Sequence, residues 1–175
     1  RVGQGACFCF SARLPVTSAP TADPVAAPTP MAPAPLAVTR QVLLAEDDDV
    51  NAMIAIACLQ RMGLAAERVL DGRAAVREAM RPDGRPDLIL MDCRMPRLDG
   101  YGATREIRAQ EYAQGLPRIP IIALTATVTD LGRTQCMEAG MDDFLAKPFT
   151  PEELAAVVRA WLGSRAAGQS AVVLP

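Results

Sequence analysis

Histidine is absent from all 175 residues. That excludes imidazole acid–base catalysis, the usual zinc sites and any phosphohistidine on this chain. Aromatics make up 4% of the residues, so Leu, Ile, Val, Ala and Met must fill any core. Neither sign of charge dominates: 18 basic and 20 acidic side chains leave a net −2, which argues against nucleic acid or a membrane surface as a partner. No run approaches the roughly 18 to 20 apolar residues of a membrane span. Cysteines number five at irregular spacings, which makes neither a disulfide framework nor a zinc site. Cys7, Cys9, Cys58, Cys93 and Cys136 read instead as small buried hydrophobes in a reducing cytoplasm. The layout of a secretion signal is missing too, and Arg1 in place of Met is expected of a fragment or a processed product.

What is present is half hydrophobic, enough for one α/β domain with a real core. Composition changes sharply near residue 39. Before it the charged residues are Arg1, Arg13 and Asp23, and seven prolines fall between Pro15 and Pro35. Residues 16–39, rich in Ala, Pro and Thr, cannot build a core and are expected to form an extended linker. At about 3.1 Å per residue in polyproline II geometry such a linker reaches up to roughly 70 Å.

From Arg40 to Gly163 strand and helix alternate five times. The strands are expected at 41–45, 65–69, 88–91, 119–124 and 142–146. Pro120 is tolerable only near the start of its strand. The first four helices are expected at 50–62, 72–80 with Asp71 as N-cap, 102–112 and 128–139, with Asp48 and Asp49 capping the first. The last helix opens on Thr150-Pro151-Glu152-Glu153, a cap, a first-turn proline and a capping-box glutamate. Leu154, Val157, Val158, Trp161 and Leu162 share one face, Gly163 closes the helix, and residues 164–175 form a flexible tail. Five β/α units joined by short loops argue for a doubly wound three-layer sandwich. Met53, Cys58 and Met62 are expected in the core, and Arg105 and Arg108 on a solvated face.

Three apolar runs end in ionisable side chains. Gln41-Val-Leu-Leu-Ala45 meets Glu46 and Asp47, Asp87-Leu-Ile-Leu-Met91 meets Asp92, and Asp143-Phe-Leu-Ala146 meets Lys147 and Pro148. Runs of this kind read as strands buried on both faces, and helical crossovers put all their carboxyl ends along one edge. Three carboxylates and an ammonium would then share a crevice, a set suited to a divalent cation and a phosphoryl group. Asp92 is an apt nucleophile toward phosphorus, ionised without a general base because its ordinary pKa is about 3.9. Glu46 and Asp47 would repel it unless Mg²⁺, which prefers carboxylate and water oxygens, stands between them. Lys147 supplies a mobile point charge, Thr125 a hydroxyl, and Ala126 room for the incoming group. Taken singly, each has an ordinary reading as a turn, a cap or a solvated residue; their joint appearance at the ends of strands one, three, four and five reverses that.

Rival chemistries fit less well. A Mg²⁺-dependent aspartyl-nucleophile phosphatase or a toprim-like nuclease wants a second acid two positions after the central one, where this chain has Arg94. A flavodoxin-like binding module needs a Ser/Thr/Gly phosphate loop after the first strand, and Glu46-Asp-Asp-Asp49 would repel FMN.

Leu43 to Asn51, Leu90 to Gly100, Ile121 to Ala126 and Gly140 to Phe149 resemble the motifs of the receiver domain of two-component phosphorelays, in order and at the expected spacing across residues 40–163. The resemblance implies a flavodoxin-like (βα)5 α/β fold with a parallel sheet of order 2-1-3-4-5. It implies Asp92 as phosphoacceptor, Mg²⁺ on Glu46, Asp47, Asp92 and the backbone carbonyl of Arg94, and Thr125 and Lys147 on the phosphoryl group. Phe144 occupies the aromatic switch position, and the Lys147–Pro148 bond is a candidate for cis. Phosphorylation is expected to draw Thr125 inward, let Phe144 turn in, and change the face made by the fourth helix and fifth strand.

Residues 3–15 resemble the last glycine box and final strand of a histidine-kinase ATP-binding domain, which makes 1–15 the remnant of such a domain. The order kinase end, tether, receiver implies a hybrid sensor histidine kinase, with a stand-alone response regulator as the alternative. The partners implied are the kinase dimerisation and phosphohistidine domain and a histidine phosphotransfer domain or protein. No kinase activity is expected beyond Mg²⁺-dependent self-phosphorylation and autodephosphorylation at Asp92. The expected location is cytoplasmic, in a parent that a membrane could anchor elsewhere.

Overall fold

A computed structural model describes residues 40–126 and 130–168. The expected kinase remnant at 1–15, the linker at 16–39, the first residues of the fourth helix and the tail from 169 lie outside them.

Ten elements alternate without exception. They are β1 Gln41–Ala45, α1 Asp49–Arg61, β2 Ala65–Val69, α2 Gly72–Ala79, β3 Leu88–Asp92, α3 Gly100–Gln114, β4 Ile121–Thr125, α4 Asp130–Ala139, β5 Asp143–Ala146 and α5 Pro151–Gly168. All four strand pairings are parallel and the order is β2-β1-β3-β4-β5, as expected. The period of two along a strand sorts side chains between two cores. Leu43, Ala45, Ile89, Met91, Ile121 and Ala123 pack with residues of α2, α3 and α4. Val42, Leu44, Leu88, Leu90, Ile122 and Leu124 pack with α1 and α5. Burial on both faces is why these strands read as continuous apolar runs. The chain reverses direction across the sheet between β1 and β3, and the crevice beyond their carboxyl ends is where such folds place a site.

Local chemistry sets the helix ends. Asp48 accepts the backbone N–H of Asn51 at 2.8 Å, Asp71 that of Ala74 at 2.8 Å, and Asp99 that of Gly102 at 2.7 Å. Thr150 and Glu153 form the expected reciprocal capping box. Asp99 moves the start of α3 from the expected residue 102 to Gly100. A side chain at 100 is excluded, because a Cβ there would stand 2.1 Å from the carbonyl oxygen of Asp92. This close approach seats the first turn of α3 directly on the end of β3.

Several expectations need correction. β4 begins at Ile121, since Pro120 offers no N–H to the ladder and only its carbonyl accepts from Ile89. β5 begins at Asp143; the carboxylate of Asp142 instead accepts the N–H of Ile121 at 2.8 Å. Gly163 does not stop α5, which runs on to Gly168. A helix tolerates one glycine at about 1 kcal/mol, and nothing in the next residues breaks it. Residues 164–168, expected in the tail, are thus helical. Met53 is 65% exposed, although Cys58 is buried and Met62 packs against the core. Arg105 is exposed, but Arg108 is largely buried, its guanidinium divided among Glu111, Asp142 and the carbonyls of Ile119 and Gly140. Cys58, Cys93 and Cys136 are buried free thiols, as expected. Among the described residues no helix is long and apolar enough to cross a membrane.

Candidate functional site

Residues from four strand ends meet at the carboxyl edge of the sheet. Carboxylate oxygens of Glu46, Asp47 and Asp92 lie within 4.8 Å of one another. Glu46 follows β1 and is fully buried, Asp47 is exposed, and Asp92 closes β3 with little solvent contact. Lys147, just beyond β5, reaches between two of them: Nζ donates to Glu46 Oε2 at 2.5 Å and lies 2.9 Å from Asp92 Oδ2. The other oxygen of Asp92 accepts the backbone N–H of Arg94 at 3.1 Å. The Lys147–Pro148 peptide bond is cis.

Beside this cluster is a cleft of about 390 Å³ lined by Asp92, Cys93, Arg94, Tyr101, Thr125, Ala126, Gln135 and Lys147. Thr125 is buried at the end of β4, and Ala126 beside it is exposed and small. Phe144 on β5 is half-buried against the core on the α4 side, with the guanidinium of Arg133 5.2 Å above its ring. Glu46, Asp47, Asp92, Thr125, Ala126 and Lys147 therefore gather at this edge, whereas Phe144 does not line the cleft.

The electrostatics follow from burial. Loss of solvent raises the Glu46 carboxyl above its ordinary value, and the hydrogen bond and charge of Lys147 pull it only part of the way back. Burial alone would lower the Lys147 ammonium, but its hydrogen bonds to Glu46 and Asp92 outweigh this and its pKa is raised. Burial pushes the Cys93 thiol up to about 12, so it stays protonated and inert next to the Asp92 carboxylate.

Three carboxylates with no nitrogen or sulfur donor among them suit a hard divalent cation. One ammonium shared by two of these acids leaves the cluster net negative, so a cation remains favoured there. The residues present fit a metal of this kind, with an adjoining cleft open to an anionic group.

Four contributors lie outside the residues that the sequence singled out. Asn51 donates to Glu46 at 3.4 Å, Arg68 reaches the loop after β1, and Tyr101 and Gln135 wall the cleft. Asn51 carried a signal, since it lies one helical turn past the acidic pair. The other three depend on register and side-chain reach, which spacing alone does not encode.

Comparison with known proteins agrees with this geometry. Residues 42–159 match the family described as response regulator receiver domain. A hybrid signal transduction histidine kinase L from Dictyostelium discoideum is 36% identical over 120 residues, covering 68% of this chain and 7% of the kinase. The chain thus spans a small fraction of the curated relatives it matches. The receiver domain of the sensor histidine kinase PA1611 from Pseudomonas aeruginosa PAO1, solved with magnesium coordinated in its active site cleft, is 50% identical with a TM-score of 0.64, over 71% of this chain and 98% of that one. A Saccharomyces cerevisiae receiver domain, that of Ssk1 in complex with the histidine phosphotransfer protein Ypd1, is 26% identical with a TM-score of 0.68, over 73% of this chain and 91% of that one.

Proposed function

This chain belongs to the response regulator receiver domain family, and we propose that it takes a phosphoryl group from a phosphohistidine onto Asp92. The observation that carries this reading is the convergence of three carboxylates within 4.8 Å, two of them held by one lysine. An Asp92 oxygen attacks phosphorus, the N–P bond of the donor breaks, and the departing imidazole takes up a proton as the acyl phosphate forms. Arg94 N–H holds the other Asp92 oxygen and so aims the attacking one. Lys147 moves from the two carboxylates toward a phosphoryl oxygen, and the Thr125 hydroxyl faces the same cleft. Glu46, Asp47, Asp92 and the carbonyl of Arg94 are the residues that would hold Mg²⁺. Bound there, Mg²⁺ neutralises charge on the transferring group.

The donor must lie on another domain or chain, because this one has no histidine. A histidine phosphotransfer domain and a kinase phosphohistidine domain fit that need, and the names of the relatives support both. The same names, with the resemblance of residues 3–15, support a hybrid sensor histidine kinase as the parent. On phosphorylation the Thr125 hydroxyl would be drawn toward the phosphoryl oxygens, and inward movement of Phe144 would then alter the surface of α4 and β5.

Acetyl phosphate with Mg²⁺ is expected to label the wild-type chain once, and Asp92→Asn is expected to abolish the label. A label retained by that variant would overturn the assignment.

A further inference from the structure

Arg68, at the fourth position of β2, spends its whole guanidinium on the acidic loop after β1. Its Nε donates to the carbonyl of Glu46 at 2.9 Å, Nη2 to the carbonyl of Asp47 at 3.0 Å, and Nη1 to Asp49 Oδ1 at 2.8 Å. The side chain is 22% exposed, whereas that of Asp49 is 91% exposed. A surface ion pair of that kind contributes little by itself. The two carbonyls are a different matter, since they belong to the two acids that form the cation cluster with Asp92.

We infer that Arg68 is a positioning residue for the cation site, fixing the backbone of Glu46 and Asp47 so that both carboxylates stay turned toward Asp92. The inference rests on the proposed Mg²⁺ site and adds to it a residue that touches neither metal nor phosphoryl group. Without Arg68, Glu46 retains one tie to β2, its N–H to the carbonyl of Val69, and among the described residues Asp47 retains none to that strand. Two opposite effects follow from placing a cation here. Charge alone would repel a metal, so deletion of Arg68 would tighten binding. Loop order would strengthen binding, so deletion would weaken it. The guanidinium is partly solvated, its charge is already matched by Asp49, and salt screens it further, so the second effect wins. Lysine cannot replace it, because a single ammonium does not span two carbonyls and a carboxylate as a planar fork does.

Residues behind metal ligands usually change affinity about 10- to 100-fold when removed. Mg²⁺ binding is measured by calorimetry on the wild type, R68A and R68K, with circular dichroism and urea midpoints to establish folding. Labelling by acetyl phosphate is followed against Mg²⁺ concentration. Both variants are expected to bind Mg²⁺ about tenfold more weakly. Their labelling should need about tenfold more Mg²⁺ for half its maximum and reach the wild-type plateau, because Asp92, Lys147 and Thr125 are untouched. Wild-type affinity or tighter binding in R68A overturns the inference. So does wild-type affinity in R68K, which would make charge rather than the fork responsible. A lowered plateau at saturating Mg²⁺ also overturns it. If the wild type itself neither binds Mg²⁺ nor labels, the underlying site assignment fails instead.

Discussion

Lys147 serves two carboxylates with one ammonium, and the consequence is testable at the level of a single side chain. Glu46 is buried and Asp92 nearly so, and Lys147 itself is only 14% exposed. Lys147→Met keeps most of the volume and leaves two acids facing each other without a counter-charge. Removing one partner of a buried pair costs about 3 kcal/mol or more. Residual solvent contact places this case at the lower end, at about 3 kcal/mol by urea titration at neutral pH. The sign with pH is fixed by the raised ammonium: its contribution is complete below about 10.5 and is lost only as pH rises through its higher folded value. Added Mg²⁺ supplies the missing charge, so the variant should regain more stability from it than the wild type does. Equal gains in the two proteins would show that the acids do not share the metal. Asp92 and Lys147 stood out in the sequence because each closes an apolar run, and strand ends converge whatever their separation. Arg68 did not, because its importance comes from the register Leu44↔Arg68, which turns its side chain toward the loop after β1.

Among the elements, α2 shows how one cap couples a helix to pH. Asp71 is buried, accepts the N–H of Ala74 and pairs with Arg97, and these bonds hold its carboxyl below the ordinary value. A lowered carboxyl stabilises the fold above about 3.8, its ordinary value, and loses that contribution as pH falls through the lower folded value. Asp71→Ala is therefore expected to cost about 1 kcal/mol at pH 7, as N-cap deletions do. The gap between variant and wild type should narrow in urea titrations below pH 3.8; a gap constant down to pH 2 would contradict the bonding described. Caps such as Asp71 and the Thr150–Glu153 box were readable because they act within four residues. Helix stops were less so. Gly163 is a stop only where the backbone needs a left-handed residue, as Gly115 provides at φ 61°. In α5 nothing requires one, so the helix continues. Met53 misled for a related reason: three-and-four spacing marks a face, but only packing decides which face is covered.

At the scale of the whole molecule, the two edges of the sheet hold their charges for different purposes. Opposite the acidic crevice, Glu111 accepts from Arg85 at 3.0 Å, Arg108 at 2.6 Å and the N–H of Ile119 at 2.8 Å. Asp142 accepts from Arg108 and Arg118, and with Glu111 it joins α3 to the starts of β4 and β5. Glu111→Ala takes the carboxylate from Arg85, leaves Arg108 with Asp142 as its remaining acid, and deprives the buried N–H of Ile119 of its acceptor. It should cost about 3–5 kcal/mol. Urea midpoints measure this, while the fraction that remains folded should still accept phosphate from acetyl phosphate, since Asp92 lies at the other edge. Loss of labelling from folded variant would link the two edges. The sheet order was legible from five alternating units, because parallel strands with short connections leave few topologies. The charged network was not, because Arg105 and Arg108 look alike until the fold decides which of them is enclosed.

Trp161, the single tryptophan of the chain, donates its indole N–H to Asp143 at 3.0 Å. Asp143 directly precedes Phe144 on an edge strand. Emission from that ring is thus an intrinsic optical gauge of β5, and a shift of the strand can be followed in real time without attaching a dye.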